Sequence, residues 1–205
     1  LILLVMFVVS MLLVRDTPSE TGHPDFDLGD ATAADDDRLS VVQVFRRMLG
    51  NRVILIIVAI EFCTGYLRNG VMSWYPKFAK AVEMQDDFVS KNWGLLLCAF
   101  GIVGGMFAGI ISDRVFHSRR GPVASVLYAG ITLGSLVMLF TIEQRWIGWV
   151  LVFMALNYVG VHGMLSGTAS ADFGGRKNTG VDVGIIDGFV YLGTGVQSLA
   201  VGLAL

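Results

Sequence analysis

The chain has 205 residues, of which 54% are hydrophobic and 16% are charged, whereas about 25% of the residues of a soluble domain are charged. This much apolar surface cannot be hidden inside so small a globule, so the composition excludes a soluble domain and indicates a membrane protein. The net charge of -2 gives no reason to expect nucleic acid. The two cysteines, Cys63 and Cys98, lie in apolar runs and lack the spacing of a disulfide framework or a zinc site.

The first 51 residues begin with an apolar run at 1–14, which is too short to cross about 30 Å of hydrocarbon. We interpret this run as the end of a spanning helix and therefore expect the chain to be a fragment. Residues 15–51 form a polar linker with eight acidic residues, three of which make an acidic patch at 35–37. At 39–49 the linker has apolar residues at helical spacing beside two arginines, which predicts an amphipathic helix at the membrane surface.

Membrane spans are recognised as runs of about 20 predominantly apolar residues. Three uncharged runs meet this criterion: Trp93–Ser112, Gly121–Ile142 and Trp146–Ala171. A fourth span begins at Val53 and ends between Pro76 and Lys80, and a fifth begins near Thr179. The sequence therefore predicts an all-α fold, a polytopic bundle of transmembrane helices.

The fourth and fifth spans contain ionisable residues, which are costly in a membrane and are usually retained for a substrate, an ion or a partner. Glu61 and Arg68 lie in the fourth span, and Asp182 and Asp187 lie in the fifth. Asp182 is close enough to the end of its span to be an interface residue. The other three are candidates for function.

The basic residues predict the orientation of the bundle, because short cytoplasmic loops retain Lys and Arg. One side collects four of them: Lys77, Lys80, Lys91 and Arg145. The opposite side collects ten: Arg15, Arg38, Arg46, Arg47, Arg52, Arg114, Arg119, Arg120, Arg176 and Lys177. We therefore expect the linker and the loops around Arg119 and Arg176 to be cytoplasmic.

The loop after the first uncharged run has a glycine four residues before an Asp-Arg pair, followed by a second basic pair: Gly109, Asp113, Arg114, Arg119 and Arg120. This pattern resembles the signature loop of major facilitator superfamily transporters. The resemblance implies that Asp113 meets a neighbouring helix end and that the basic residues form a cytoplasmic gate. The alternative is simple anchoring by positive charge, which would explain the arginines but not an aspartate at the end of a span.

Three segments resemble a narrower family, the organophosphate:phosphate antiporters. Residues 15–18, together with Gly22 and Pro24, resemble the segment after that family's sixth helix. Residues 66–76 are similar to its seventh helix, with the pattern Tyr-Leu, Arg, Gly, Trp and Pro, and residues 180–193 resemble the eleventh.

The resemblance implies that the chain is a fragment of the twelve-helix major facilitator fold. Residues 1–14 would end the sixth helix, residues 15–51 would form the cytoplasmic central linker, and residues 52–205 would form helices seven to eleven. Two positions depart from the family pattern. Ser73 replaces an acidic residue of glycerol-phosphate transporters, and Gly160 replaces a tyrosine that lines their cavity, so the specific substrate stays open.

Arg68 is the residue that we expect to bind the substrate, because a guanidinium binds a phosphoryl group bidentately and stays charged at any working pH. In the family that it resembles, the corresponding arginine pairs with one from the amino-terminal half. The alternatives are an arginine that extends to the interface or one that pairs with Glu61. Glu61 lies seven residues earlier on nearly the same face, about 10 Å away along the axis, so direct pairing would be strained.

Three other side chains are candidate substrate contacts. His162 either binds phosphate, since histidine changes charge near physiological pH, or packs as a neutral residue between helices. Asp187 and Tyr191 are four residues apart and share a helical face, so Tyr191 is expected to line the cavity and Asp187 to pair with substrate or with a basic residue. A stripe of small residues predicts a tight helix contact: Gly101, Gly105 and Gly109.

The sequence thus predicts a transporter, and not an enzyme, that exchanges a phosphorylated organic anion for inorganic phosphate by alternating access. It has no Walker sequence, nucleophile–base pair or metal cluster, so we expect neither cofactor nor metal. Two alternatives stay open, a membrane sensor for a sugar phosphate and a transporter of a non-phosphorylated organic anion. The expected partners are the lipid bilayer and an amino-terminal half, and the expected location is the bacterial inner membrane.

Overall fold

The structure is a computed structural model that describes the backbone of residues 2–15, 18–24 and 40–204, and the side chains in these ranges except at 41, 168–178 and 204. Asp16 and Thr17, the acidic patch at 35–37 and Arg38 lie outside the described residues, as do the side chains of Arg176 and Lys177. The chain divides into two units, residues 1–35 and 36–205.

The first unit contains helix α1, Ile2–Leu13, and a 3-10 turn, Pro18–Thr21. The side chains of α1 are exposed along its whole length, as an apolar helix without a packing partner in its own unit must be. Thr21 Oγ1 donates a hydrogen bond to the Pro18 carbonyl at 2.7 Å, which closes the turn.

The described part of the second unit is helical. Its elements are α2 Val41–Gly50, α3 Arg52–Ala81, α4 Phe88–Lys91, α5 Trp93–Arg114, α6 Arg120–Thr141, α7 Ile147–His162, a π-helical segment Gly163–Ala169 and α8 Ser170–Ala204. Five segments are long and apolar enough to cross a membrane: Arg52–Ala81, Trp93–Arg114, Arg120–Thr141, Ile147–Gly167 and Thr179–Leu203. These segments confirm the predicted all-α bundle.

Helix α7 is the central element of the second unit. Of its span, Ile147–Gly167, 67% is buried, against 22–33% in the other four spans. It packs against α3, α5 and α6, and its apolar side chains contribute to both hydrophobic clusters of the core. The absence of charge from this run, and its Gly and Val content, suit a helix that is covered on several sides.

The run from Trp146 to Ala171 contains a span, as predicted, and its backbone changes from α-helix to a π-helical segment after His162. Gly163 and Gly167 weaken the local α-helix, because glycine gains more backbone conformational entropy than any other residue when the helix is broken. Helix α8 then begins at Ser170, and its membrane-spanning part begins at Thr179, as predicted. The segment therefore joins α7 to α8 without an open loop.

Close backbone contacts at glycines bring two pairs of helices together. A side chain at Gly65 of α3 would collide with the Val190 carbonyl of α8, and one at Gly193 of α8 would collide with the Phe62 carbonyl of α3. On the other side of the bundle, Gly104 of α5 packs in the same way against the backbone of α7. Such contacts replace side-chain packing in membrane helices.

The predicted glycine stripe on α5 is correct at Gly101, which contacts Val159, and wrong in its register beyond that residue. A side chain at Gly105 or Gly109 would meet nothing within 4 Å among the described residues. The contact instead continues through Gly104, because spacings of three and four alternate along the helix surface that faces α7.

Helix α2 is the amphipathic helix that the linker sequence predicts. Ser40 and Gln43 form a reciprocal capping box at its start, with the Ser40 amide donating to Gln43 Oε1 at 2.9 Å. Val44 and Met48 are buried in the same hydrophobic cluster as residues of α3 and α8. Helix α2 thus packs its apolar face on the bundle.

Candidate functional site

Four polar side chains from α3, α7, the π-helical segment and α8 form what we call the acidic–histidine cluster: Glu61, His162, Ser166 and Asp187. His162 Nδ1 lies 3.0 Å from Glu61 Oε2, and its Nε2 lies 4.0 Å from Asp187 Oδ1. The Ser166 hydroxyl donates a hydrogen bond to Asp187 Oδ1. One imidazole therefore faces two carboxylates in the membrane-spanning part of the chain.

The glycine contacts between α3 and α8 explain why these side chains meet. Gly65 lies one turn after Glu61, and Val190, which Gly65 touches, lies about one turn after Asp187. The close approach of the two backbones therefore brings the two carboxylates near the same point. His162 is the last residue of α7 and reaches this point from the third side.

Glu61 is the most deeply buried member of the cluster. Its side chain is 0% exposed, whereas those of His162 and Asp187 are 25% and 34% exposed. One carboxylate oxygen faces His162, and the other, Oε1, is buried and has no hydrogen-bond partner among the described residues. A buried carboxylate oxygen in this state is energetically costly, because the group has lost its hydration without replacement.

A second polar contact borders the cluster. The Thr64 hydroxyl is hydrogen bonded to the Tyr128 hydroxyl of α6 and donates to the Ile60 carbonyl at 2.9 Å. Tyr128 also lies within electrostatic range of Glu61. The cluster is thus enclosed by α6 as well as by α3, α7 and α8.

Arg68 lies near the middle of the 30-residue helix α3 and is half-buried. No hydrogen bond or ion pair joins it to another residue in the part of the chain that the structure describes. Glu61, its alternative partner in the sequence, faces His162 instead. The structure therefore does not pair Arg68 with Glu61.

A hydrogen-bonded amide pair next to Arg68, half-buried at Asn69 and buried at Gln197, is not predicted from the sequence, because neither residue is ionisable. Asn69 Nδ2 donates to Gln197 Oε1 and, at 2.9 Å, to Ser198 Oγ, and Ser73 Oγ donates to Asn69 Oδ1 at 2.8 Å. Gln197 is buried. The signal was present, because both amides lie in apolar runs and need partners there.

Tyr191 lies one turn beyond Asp187 on α8, and it is 66% exposed. Of the four predicted substrate contacts, the structure brings His162 and Asp187 together. No hydrogen bond or ion pair joins Arg68 or Tyr191 to the cluster within the described ranges.

Asp182, which the sequence places close to the membrane interface, is only 3% exposed. The packing of α2 against α8 covers it, and Arg47 of α2 interacts electrostatically with its carboxylate. The sequence offered no direct indication of this pairing, because the two residues are far apart along the chain.

The predicted gating residues lie around the short turn between α5 and α6. Ser118 Oγ donates to Asp113 Oδ1 at 3.1 Å, and Arg120 donates to Ser112 Oγ at 3.3 Å. Asp113 thus contacts the turn rather than the end of another helix within the described chain. The remaining members are exposed, and they are Gly109, Arg114 and Arg119.

A largely apolar cavity of about 370 Å³ lies beside α3, α6, α7 and α8. Its lining includes Trp74, Tyr75, Tyr158 and Gln197 but not Arg68. Tyr158 is fully buried and its hydroxyl has no hydrogen-bond partner in the described part of the chain. Gly160, where the family pattern has a tyrosine, instead faces α5: an added Cβ would lie 2.9 Å from the Gly104 carbonyl oxygen.

Comparison with known proteins gives relatives named as transporters and one named as a membrane sensor protein, from Escherichia coli. The chain is 27% identical to the glycerol-3-phosphate transporter of Bacillus subtilis, over 89% of this chain and 43% of that protein. It is 23% identical to a probable hexose phosphate transport protein of Chlamydia pneumoniae, over 88% of this chain and 44% of that protein. It is 22% identical to a probable galactarate/D-glucarate transporter of Escherichia coli, over 77% of this chain and 36% of that protein.

The chain spans less than half the length of these curated relatives. No solved structure matches it. The sequence profile of the Major Facilitator Superfamily matches residues 1–198, and the five apolar helices agree with a multi-pass integral membrane protein. This chain therefore belongs to the Major Facilitator Superfamily.

Proposed function

We propose that the chain is the carboxy-terminal half of a transporter that exchanges a phosphorylated organic anion for inorganic phosphate by alternating access. The observation that carries the proposal is Arg68, a half-buried guanidinium near the middle of a membrane-spanning helix. A charge in that position is costly unless a counter-charge binds to it. The nearest acidic candidate on its own helix, Glu61, faces His162, so the counter-charge is left for the substrate to provide.

A phosphoryl dianion matches this guanidinium, because the two oxygens of the anion accept parallel hydrogen bonds from the fork of the arginine. The names of the glycerol-3-phosphate and hexose phosphate relatives support this substrate class. In the proposed site an arginine of the amino-terminal half closes on the same phosphoryl group. Tyr191, which is exposed on α8, would line the interface between the halves near mid-membrane.

In the same proposal, residues 1–14 end the sixth helix, residues 15–51 form the central linker and residues 52–205 form helices seven to eleven. The linker, the turn at Arg119 and the first turns of α8 around Arg176, which the structure shows as helix and not as the predicted loop, face the cytoplasm of a bacterial inner membrane. Asp113 and the neighbouring arginines act at the cytoplasmic gate. The short α5–α6 turn, tied by the Ser118–Asp113 hydrogen bond, supports that role because it couples two spans directly.

A second candidate substrate is a sugar acid without phosphate. The galactarate/D-glucarate relative favours it, and a carboxylate can also accept both hydrogen bonds of a guanidinium. The two candidates differ in whether inorganic phosphate competes for the site.

A competition experiment separates the candidates. The complete transporter is reconstituted in liposomes loaded with phosphate, and uptake of labelled phosphate is measured against added glycerol phosphate, hexose phosphate or galactarate. We expect the phosphorylated compounds to inhibit uptake and galactarate to leave it unchanged. Inhibition by galactarate alone, or no phosphate uptake with rapid galactarate uptake, would overturn the phosphate proposal in favour of the sugar acid.

A further inference from the structure

We propose that Trp93 of α5 is a positioning residue for Arg68, because its indole N–H takes the place of the backbone donor that Pro76 removes from α3. The replacement of the donor does not depend on the substrate, whereas the effect on substrate binding rests on the proposed function. The contact that carries the proposal is the hydrogen bond that Trp93 Nε1 donates to the Met72 carbonyl oxygen at 3.0 Å.

The Met72 carbonyl cannot receive the hydrogen bond that is usual in an α-helix. In a regular helix its donor is the N–H four residues later, at position 76. That residue is Pro76, which lies inside α3. Proline has no N–H, and its ring crowds the carbonyl four residues earlier. A backbone carbonyl without a donor is costly inside a membrane, and proline is tolerated in spans because neighbouring groups supply the missing hydrogen bond.

Trp93 is suited to be that donor. It is the first residue of α5 and is 8% exposed. Its indole N–H can donate but cannot accept, and a buried indole usually finds an acceptor. The carbonyl and the indole therefore satisfy each other, at a distance that is ordinary for an N–H···O hydrogen bond.

The packing around Trp93 holds the indole in place. Tyr75 of α3 is buried, and the centroid of its ring lies 4.4 Å from that of Trp93. The Tyr75 hydroxyl lies 3.0 Å from Ser90 Oγ, in α4. On the side of α7, a Cβ added at Gly148 would lie 2.5 Å from the Tyr75 hydroxyl oxygen, so no side chain fits between them. The carboxy-terminal part of α3 is thus held by α4, α5 and α7.

The Trp93 hydrogen bond lies one helical turn from Arg68. Met72 follows Arg68 by four residues, so the two residues share a face of α3 and lie about 6 Å apart along its axis. No hydrogen bond or ion pair holds the Arg68 side chain among the described residues, so the position of its guanidinium depends on the helix that carries it. A guanidinium donates two parallel hydrogen bonds to a phosphoryl group only when its fork is aligned with the anion. By fixing α3 to α5 beside Arg68, Trp93 maintains that alignment.

The alternative is a tryptophan that only fills space, and Pro76 provides the means to separate the two roles. Alanine at position 76 restores an N–H that can donate to the Met72 carbonyl within α3. The indole N–H of Trp93 then becomes dispensable, whereas the space that the indole fills does not change. Loss of the indole should therefore cost less stability in the Pro76→Ala background.

The replacement of the donor is tested by unfolding the complete transporter in mixed micelles, with Trp93→Phe made alone and together with Pro76→Ala. We expect the factor by which Trp93→Phe raises the unfolding equilibrium constant to be about tenfold smaller in the Pro76→Ala background, because the Met72 carbonyl then keeps a donor. The matched control is Trp149→Phe, which loses a stacking contact with Phe88 and should have the same effect in both backgrounds. Equal effects of Trp93→Phe in the two backgrounds would overturn the proposal.

The double variant decides the outcome if Trp93→Phe alone does not insert into the membrane. Insertion of Trp93→Phe together with Pro76→Ala would then support the replacement of the donor. Failure of this double variant to insert, while Pro76→Ala alone inserts, would overturn it.

The positioning of Arg68 is tested by exchange of labelled phosphate in liposomes that contain the complete transporter. We expect Trp93→Phe to raise the KM for phosphate about tenfold, as for the loss of one hydrogen bond to a charged group, while the rate at saturation stays near that of the wild type. Trp149→Phe should keep the wild-type KM, and Trp93→Phe together with Pro76→Ala should have the KM of Pro76→Ala alone. An unchanged KM in Trp93→Phe would overturn the positioning.

Failure of the proposed function gives a different result. A wild-type transporter that exchanges galactarate but not phosphate would contradict the proposed function, and the unfolding measurement would still test the replacement of the donor. The KM values for galactarate, compared in the same variants, would then test the positioning of Arg68.

Discussion

Arg68 and Glu61 lie on nearly the same face of α3, but they differ in their surroundings. Glu61 is enclosed by four elements and faces His162, whereas Arg68 is half-buried and has no partner among the described residues. The sequence predicted that both were functional, because charge inside a span is costly. It could not predict the pairing of Glu61 with His162, because that contact joins residues 101 positions apart and depends on how three helices pack.

The part-buried amide contact between Asn69 and Gln197 leads to a prediction about stability. Replacing Asn69 by Leu leaves the Gln197 carbonyl oxygen buried without its donor. We expect the free energy of unfolding in detergent to fall by about 1 kcal/mol, as is typical of hydrogen bonds between membrane helices. The double variant Asn69→Leu with Gln197→Leu should recover most of the loss. The explanation would be contradicted if the double variant lost more unfolding free energy than the two single variants lose together.

At the scale of elements, helix positions were more predictable than helix contacts. The five spans follow from counting apolar residues, because a span must satisfy its own backbone hydrogen bonds over a fixed thickness. The π-helical segment after His162 was not predicted, since glycines occur throughout the spans and do not by themselves mark a change of helical pitch. The predicted register of the glycine contact on α5 was also wrong beyond Gly101, because more than one set of glycines on this helix has the spacing of a helix contact.

The glycine contact between α3 and α8 gives a prediction at this scale. Gly65→Ala should destabilise the bundle by about 1–3 kcal/mol, because the added methyl group collides with the rigid Val190 carbonyl. Gly105→Ala is the matched control, since its methyl group would meet nothing described within 4 Å and alanine favours the helix. Thermal unfolding in detergent measures both. Equal stabilities for the two variants would show that α3 and α8 are less closely packed than described.

At the scale of the whole molecule, the family and the broad function follow from short motifs and composition, whereas the binding site does not. The described helices bring His162 and Asp187 together but join neither Arg68 nor Tyr191 to them by a hydrogen bond or an ion pair. The reason is geometric, because transporters of this kind place the substrate at the interface of two repeats. In the proposed function this chain supplies one of those repeats, so half of the site cannot be read from it.

The proposed sharing of the site between two halves predicts how the 205-residue chain behaves when it is expressed alone. Each span satisfies its own backbone hydrogen bonds, so we expect the chain to insert into the membrane. It should not bind organophosphate or exchange phosphate, because Arg68 would lack the facing guanidinium. Co-expression of the amino-terminal half should restore measurable exchange. Saturable exchange by the purified chain alone would contradict a site shared between two halves.

The most direct test of the proposed exchange is the substitution Arg68→Lys in the complete transporter, measured as labelled phosphate exchange in liposomes. The substitution keeps the charge and removes the two-pronged donor, and Arg145→Lys, in an exposed turn, is the matched control. We expect exchange to fall to background in Arg68→Lys while membrane insertion and the Arg145→Lys rate stay at the wild-type level. Wild-type exchange in Arg68→Lys would show that this arginine does not bind the phosphoryl group.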